Sequence, residues 1–214
     1  MYKFINENAE AILEEAENTY KDGLRGYVEC YLKTLKWEEL NSANKKEYIR
    51  NYKKFYAMNA ARLSSEFYNK YFGILCSGEE KKLDELIKDE SGSIHFSFTT
   101  KLLHTLNQNL PIYDKYIAAF FLFPDWQDKN AGKESICNGI YEFLKYEYQR
   151  IQKEKLLPKA IEIFKTKVKQ LDLKNAEKIT DEKIIDFYIW QFSKMMKDSK
   201  QMNGNGFRKK IRYE

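Results

Sequence analysis

The chain has little glycine and proline. Only 9 Gly and 3 Pro occur among 214 residues, so few positions interrupt a helix or favour a tight turn. Long helices are therefore expected, and a sheet larger than a single hairpin is not.

Cysteine and histidine are also scarce. The 3 Cys lie far apart, form no C-x-x-C pair and are accompanied by only 2 His, so a structural zinc site is not expected. An odd number of cysteines without a disulfide pattern is typical of a reducing cytoplasm. No run approaches the roughly 20 apolar residues that span a bilayer, so no membrane partner is expected. Nothing in the sequence indicates a metal or another cofactor.

Motifs of the common enzyme classes are missing as well. The sequence contains no G-x-S-x-G, no P-loop and no H-E-x-x-H, which excludes the hydrolases and nucleotide-binding enzymes that depend on these motifs.

Aromatic residues and a mild positive charge are the features that the chain does have. It carries 16 Tyr, 14 Phe and a formal net charge of +5. The tyrosine side chain suits positions that are partly buried and partly exposed to solvent, as in a helical core with a polar shell or a platform for stacked bases. The charge permits weak, salt-dependent binding of a polyanion such as DNA without demanding it.

Apolar residues recur at the helical period in almost every segment. This pattern predicts an all-α, compact protein of about nine or ten helices. The longest helical pattern runs from Lys45 to Leu75, where a break near Asn59 is expected because the segment exceeds the usual helix length.

Two domain organisations fit the sequence. Residues 1–200 form either one helical domain or two lobes, 1–90 and 91–200, separated by a polar stretch. Residues 201–214 are predicted to be a basic tail.

The stretch SFTTKLLHTLNQNLPIYDKYI, residues 97–117, is the most specific motif in the chain. A helix is predicted to start near the pair Thr99–Thr100 and to run to about Leu106, where NQNLP ends it because the residue before Pro111 disfavours the helical conformation. Asp114 then precedes a second apolar helix. Lys101 and Asp114 would each lie near a helix N-terminus, where the dipole keeps a carboxylate ionised and lowers the pKa of an amine.

This stretch resembles a pattern that recurs in bacterial helical proteins. It is also similar to the core of the helix-hairpin-helix DNA glycosylase superfamily, particularly its 8-oxoguanine glycosylase-like members. The resemblance implies that Lys101 attacks the sugar C1′ and that Asp114 stabilises the developing charge. The glycine-rich hairpin of that superfamily is missing before Lys101, where the sequence reads SIHFSFTTK.

Base excision also requires an aromatic pocket and contacts to the nucleic acid. Phe96 and Phe98 are aromatic candidates close to Lys101. The pocket candidates are His104, Tyr113, Trp126 and Trp190, and the candidate nucleic-acid contacts are Thr99, Thr100, Arg208, Lys209, Lys210 and Arg212.

A purely structural interpretation of the same residues stays open. Asp is among the best N-cap residues, so Asp114 is also expected to begin a helix without any catalytic role. Lys101 would then be a solvated side chain beside the packed leucines of its helix, and Tyr113 a core residue. The two functional hypotheses are therefore a DNA-glycosylase-like enzyme and a non-enzymatic helical interaction protein of a bacterial mobile-element or defence locus.

Overall fold

The described part of the chain is built from helices and contains no strand, which confirms the all-α prediction. The structure, a computed structural model, describes residues 1–60, 63–79, 81–86, 92–123 and 132–201. Within these residues it has eleven α-helices and three short 3₁₀ segments, Trp37–Asn41, Met58–Ala60 and Ala176–Lys178. The α-helices are α1 (Tyr2–Glu7), α2 (Ala9–Thr19), α3 (Gly23–Thr34), α4 (Lys45–Phe55), α5 (Ser65–Ser77), α6 (Leu83–Leu86), α7 (Phe96–Leu106), α8 (Lys115–Phe120), α9 (Lys133–Lys153), α10 (Pro158–Gln170) and α11 (Asp181–Gln201).

The long helical pattern between Lys45 and Leu75 is interrupted where the break was expected. Helix α4 ends at Phe55 and α5 begins at Ser65, with Asn59 in the 3₁₀ segment between them. Ser64 caps α5, because its hydroxyl accepts a hydrogen bond of 3.1 Å from the Phe67 amide. The side-chain cap fixes the start of the second helix.

The larger of two core clusters joins the beginning of the chain to its end. Buried residues of α1, α2 and α3 pack there with residues of α9, α10 and α11. Phe187 of α11 contacts Tyr27 of α3 and Phe164 of α10, with ring centroids 5.0 and 5.1 Å apart. Helices of residues 1–90 therefore also pack against the end of the chain, because α1 to α3 share a core with α9, α10 and α11.

The smaller core cluster is rich in tyrosine and lies between α4, α5 and α7. Tyr52 is fully buried, and its hydroxyl lies 3.0 Å from those of both Tyr71 and Thr105. These bonds satisfy polar groups that would otherwise be costly to bury. They also fix the position of α7, which carries the motif, relative to α4 and α5.

No helix in the described ranges is both long enough and apolar enough to cross a membrane.

Candidate functional site

Helix α7 begins earlier than the sequence indicated. It starts at Phe96 rather than near the pair Thr99–Thr100, because Phe96 is buried against Tyr113 with ring centroids 4.3 Å apart. Lys101 is consequently the sixth residue of the helix and lies in its second turn. The prediction that Lys101 lies at a helix N-terminus was wrong.

The Lys101 side chain crosses to the end of α4. Its Nζ donates to the Ser97 hydroxyl at 3.1 Å and to the Tyr56 carbonyl at 3.4 Å. Tyr56 is the C-cap residue of α4, so the ammonium lies at the negative end of that helix dipole. Lys101 is therefore neither fully solvated nor at a helix start.

The pKa of Lys101 is lowered, as the sequence predicted, but for a different reason. Burial of the amine lowers the pKa, and the charge of Lys183 adds to this effect. Asp114 and Asp186 oppose it without reversing it. The cause is desolvation rather than a helix dipole.

Asp114 caps α8, and its carboxylate also bonds to a distant helix. One carboxylate oxygen accepts from the amides of Tyr116 and Ile117, at 2.8 and 3.0 Å. The other accepts from the indole N–H of Trp190 at 2.7 Å. The capping role predicted for Asp114 is confirmed, and both oxygens have donors that do not involve Lys101.

His104 closes the turn between α7 and α8. Its Nδ1 lies 2.7 Å from the Leu110 carbonyl, so Nδ1 carries the proton and Nε2 accepts from the Tyr31 hydroxyl at 3.0 Å. Burial, with a contribution from Lys183, lowers the pKa of His104 to about 3. This pocket candidate is thus a neutral, fully bonded side chain inside the core.

The other motif residues also face the interior. Thr100 accepts from the Tyr113 amide at 3.0 Å, and the Thr99 hydroxyl donates to the His95 carbonyl at 3.1 Å. All three side chains, of Thr99, Thr100 and Tyr113, are buried. A phosphate has no access to either threonine in this conformation. The motif is a hydrogen-bonded corner between two helices.

Five predicted site residues lie outside the described part of the chain. They are the pocket candidate Trp126 and the four tail cations Arg208, Lys209, Lys210 and Arg212.

A buried ion pair that the predicted site did not include joins two residues of α11. Lys183 donates to Asp186 at 2.7 Å, and both side chains are almost fully buried. Burial alone would lower the pKa of Lys183, but Asp186, together with Tyr56 and Tyr20, more than compensates, and the net direction is upward. Burial raises the pKa of Asp186. The signal was present in DEKIIDFYIW, where a lysine and an aspartate occur three residues apart in an apolar run.

Two surface grooves lie away from the motif. One of about 420 Å³ is bounded by α10 and the start of α11, and one of about 310 Å³ lies between α2 and α10. Of the described residues that line them, none belongs to the motif. The geometry therefore does not place Lys101 or Asp114 in either groove.

The surface of α4 carries most of the net charge of the chain. Its sequence KKEYIRNYKKF has five cations and one carboxylate, a formal charge of +4 where the whole chain has +5. Lys46, Arg50 and Lys54 are exposed and follow one another at four-residue spacing. Such spacing places them on one face of the helix, about 6 Å apart along its axis. We call these three residues the cationic ridge.

Searches of protein-family models, curated proteins and solved structures found no match to this chain.

Proposed function

We propose that this all-helical protein binds nucleic acid without catalysing a reaction on it. The observation that carries the proposal is the cationic ridge of α4. Three exposed cations on one helix face can each approach a backbone phosphate, and the counterions that they release favour binding.

The cations of the ridge repel one another along α4. Arg50 is four residues from both Lys46 and Lys54, and like charges at this spacing cost a few tenths of a kcal/mol per pair. Lys45 and Lys46 occupy the first turn, where the helix dipole disfavours cations. Asn44 makes no capping bond, so compensation comes from Glu47, which lies 3.6 Å from Arg50, and from the favourable position of Lys54 in the last turn. A bound polyanion would relieve the repulsion that is left among the ridge cations, which supports a ligand-binding role.

The motif has a structural role in this proposal. The Asp114 carboxylate accepts three hydrogen bonds, and the Lys101 ammonium binds the carbonyl end of α4. Both contacts hold helices in place. The proposal therefore follows the non-enzymatic hypothesis, with nucleic acid as the partner.

The test is the salt dependence of binding to a labelled DNA oligomer, followed by fluorescence anisotropy. Replacing Lys46, Arg50 and Lys54 by Gln should reduce the slope of log K against log salt by about 2 to 3, close to one for each lost phosphate contact.

The matched control changes three exposed lysines elsewhere, Lys167, Lys169 and Lys174, to Gln, which lowers the net charge equally. The control should keep the slope of the unmodified protein. Equal effects of the two triple variants, or no binding by the unmodified protein, would contradict the proposal.

Base excision through Lys101 is a second candidate function, favoured by the lowered pKa of its amine. A neutral amine is the form that attacks the C1′ aldehyde of an opened sugar and forms a Schiff base. Borohydride should then trap the protein on DNA that contains an abasic or oxidised site. Lys101→Arg keeps the cation beside Tyr56 but should abolish trapping, and Asp114→Asn should reduce turnover. Absence of an adduct across a panel of damaged bases would reject this candidate.

A further inference from the structure

A continuous row of half-buried rings lies beside the cationic ridge. It consists of Tyr68 and Phe67 on α5, His95 before α7 and Phe98 on α7, and we call these four residues the aromatic strip. The Phe67 ring is 5.8 Å from Tyr68, 4.5 Å from His95 and 6.1 Å from Phe98, measured between centroids. The ring planes are inclined to that of Phe67 by 78°, 56° and 66°, so the four rings form one cluster of tilted and edge-to-face contacts around Phe67.

A cation lies over each end of the aromatic strip. Lys53 Nζ is 3.7 Å from the Tyr68 ring centroid, and Lys101 Nζ is 5.3 Å from that of Phe98. Both distances fit cation–π contacts. Lys53 lies three residues after Arg50 of the cationic ridge, a spacing that makes the two side chains neighbours on the surface of α4, so Lys53 connects the ridge to the strip.

The strip differs from the tyrosine core beneath it. Tyr52 and Tyr71 of that core are buried, and their hydroxyls bond to each other. Phe67, Tyr68 and Phe98 pack against the core on one side but keep part of each ring exposed to solvent. Exposed ring surface next to cations is the combination by which proteins hold unpaired bases and their phosphates together.

We propose that the ligand of this surface is single-stranded nucleic acid, whose unpaired bases stack on the aromatic strip while the cationic ridge holds its phosphates. The inference rests on the proposed function and specifies the class of its ligand. A duplex offers the same phosphates, but its bases already stack on one another and cannot reach the rings. The surface should therefore distinguish single strands from duplexes.

The test compares three labelled ligands by anisotropy: a single strand, its duplex and a phosphodiester chain that has as many phosphates as the single strand but no bases on its sugars. An oligomer of about 20 nucleotides covers the range of known single-strand site sizes. The unmodified protein should bind the single strand at least about tenfold more tightly than the base-free chain. The same strand is also tested as RNA, because a comparison of the two affinities shows whether the surface prefers single-stranded DNA or single-stranded RNA.

The variant Phe67→Leu/Phe98→Leu removes stacking while it keeps apolar volume in the strip. It should bind the single strand and the base-free chain within about threefold of each other, with an unchanged salt slope. Phe143→Leu, which alters a partly exposed ring on α9, is the matched control and should behave like the unmodified protein.

The outcomes separate the two proposals. If the unmodified protein binds the base-free chain as tightly as the single strand, base stacking is rejected and phosphate binding by α4 stands. This comparison needs no variant, so it tests base stacking even if the double variant does not fold. If none of the three ligands binds, the proposed function itself is rejected.

Discussion

The indole N–H of Trp190 donates to the Asp114 carboxylate at 2.7 Å and so connects α11 to the corner between α7 and α8. The second oxygen of the same carboxylate caps α8 through the Tyr116 and Ile117 amides. One side chain therefore fixes both the start of a short helix and its attachment to the long helix beside it.

Asp114→Ala should lower the free energy of unfolding by about 2 kcal/mol or more. About 1 kcal/mol comes from the lost N-cap, and the remainder from the Trp190 N–H that loses its acceptor. Asp114→Asn should cost less, because its amide oxygen still accepts one of these bonds. Trp190→Phe should remove only the contribution of the indole bond. Urea unfolding measures all three, and an Asp114→Ala variant as stable as the unmodified protein would contradict the assignment.

Stability should fall as the pH drops below about 6.5. The pKa of His104 is about 3 in the folded protein against an ordinary value of 6.5. Between these two values the unfolded chain therefore binds a proton at His104 and the folded protein does not. Protons then favour unfolding by up to about 1.4 kcal/mol per pH unit below 6.5, until the folded pKa is reached. His104→Gln should flatten the profile between pH 6.5 and 5. A flat profile for the unmodified protein would exclude a buried neutral His104.

Removal of one charge of the buried pair Lys183–Asp186 should lower the free energy of unfolding more than replacement of both residues by apolar ones. Asp186→Ala leaves the ammonium of Lys183 buried without its partner and should destabilise the protein by about 3–5 kcal/mol. The double variant Lys183→Met/Asp186→Leu removes both charges and should be more stable than Asp186→Ala alone. A double-mutant cycle of Lys183→Met, Asp186→Leu and the double variant, measured by urea unfolding, checks the interaction. Additive effects of the two single variants would show that the charges do not interact.

Local patterns in the sequence predicted the helices and the cap at Asp114. Both depend on residues within a few positions of one another: the helical period, and a carboxylate placed before an apolar turn. The start of α7 was misplaced because the segment from Phe96 to Phe98 is strand-like in isolation. Burial of Phe96 against Tyr113 outweighs that local preference.

Contacts between distant parts of the chain could not be predicted in this way. Asp114 and Trp190 are 76 residues apart, and His104 and Tyr31 are 73 apart. The local sequence pattern does not predict that these residues contact each other. The cationic ridge, by contrast, follows from four-residue spacing within α4 and depends only on local sequence.

The contact between Lys101 and the Tyr56 carbonyl affects how α4 can bind a partner. It ties the C-terminal end of the helix to α7, while Tyr48 and Tyr52 anchor its inner face in the smaller core. The conformational entropy of positioning the helix is therefore lost during folding rather than during association. Binding on this face should release counterions and water with little ordering of the protein, so its entropy change should be favourable and its heat small at low salt.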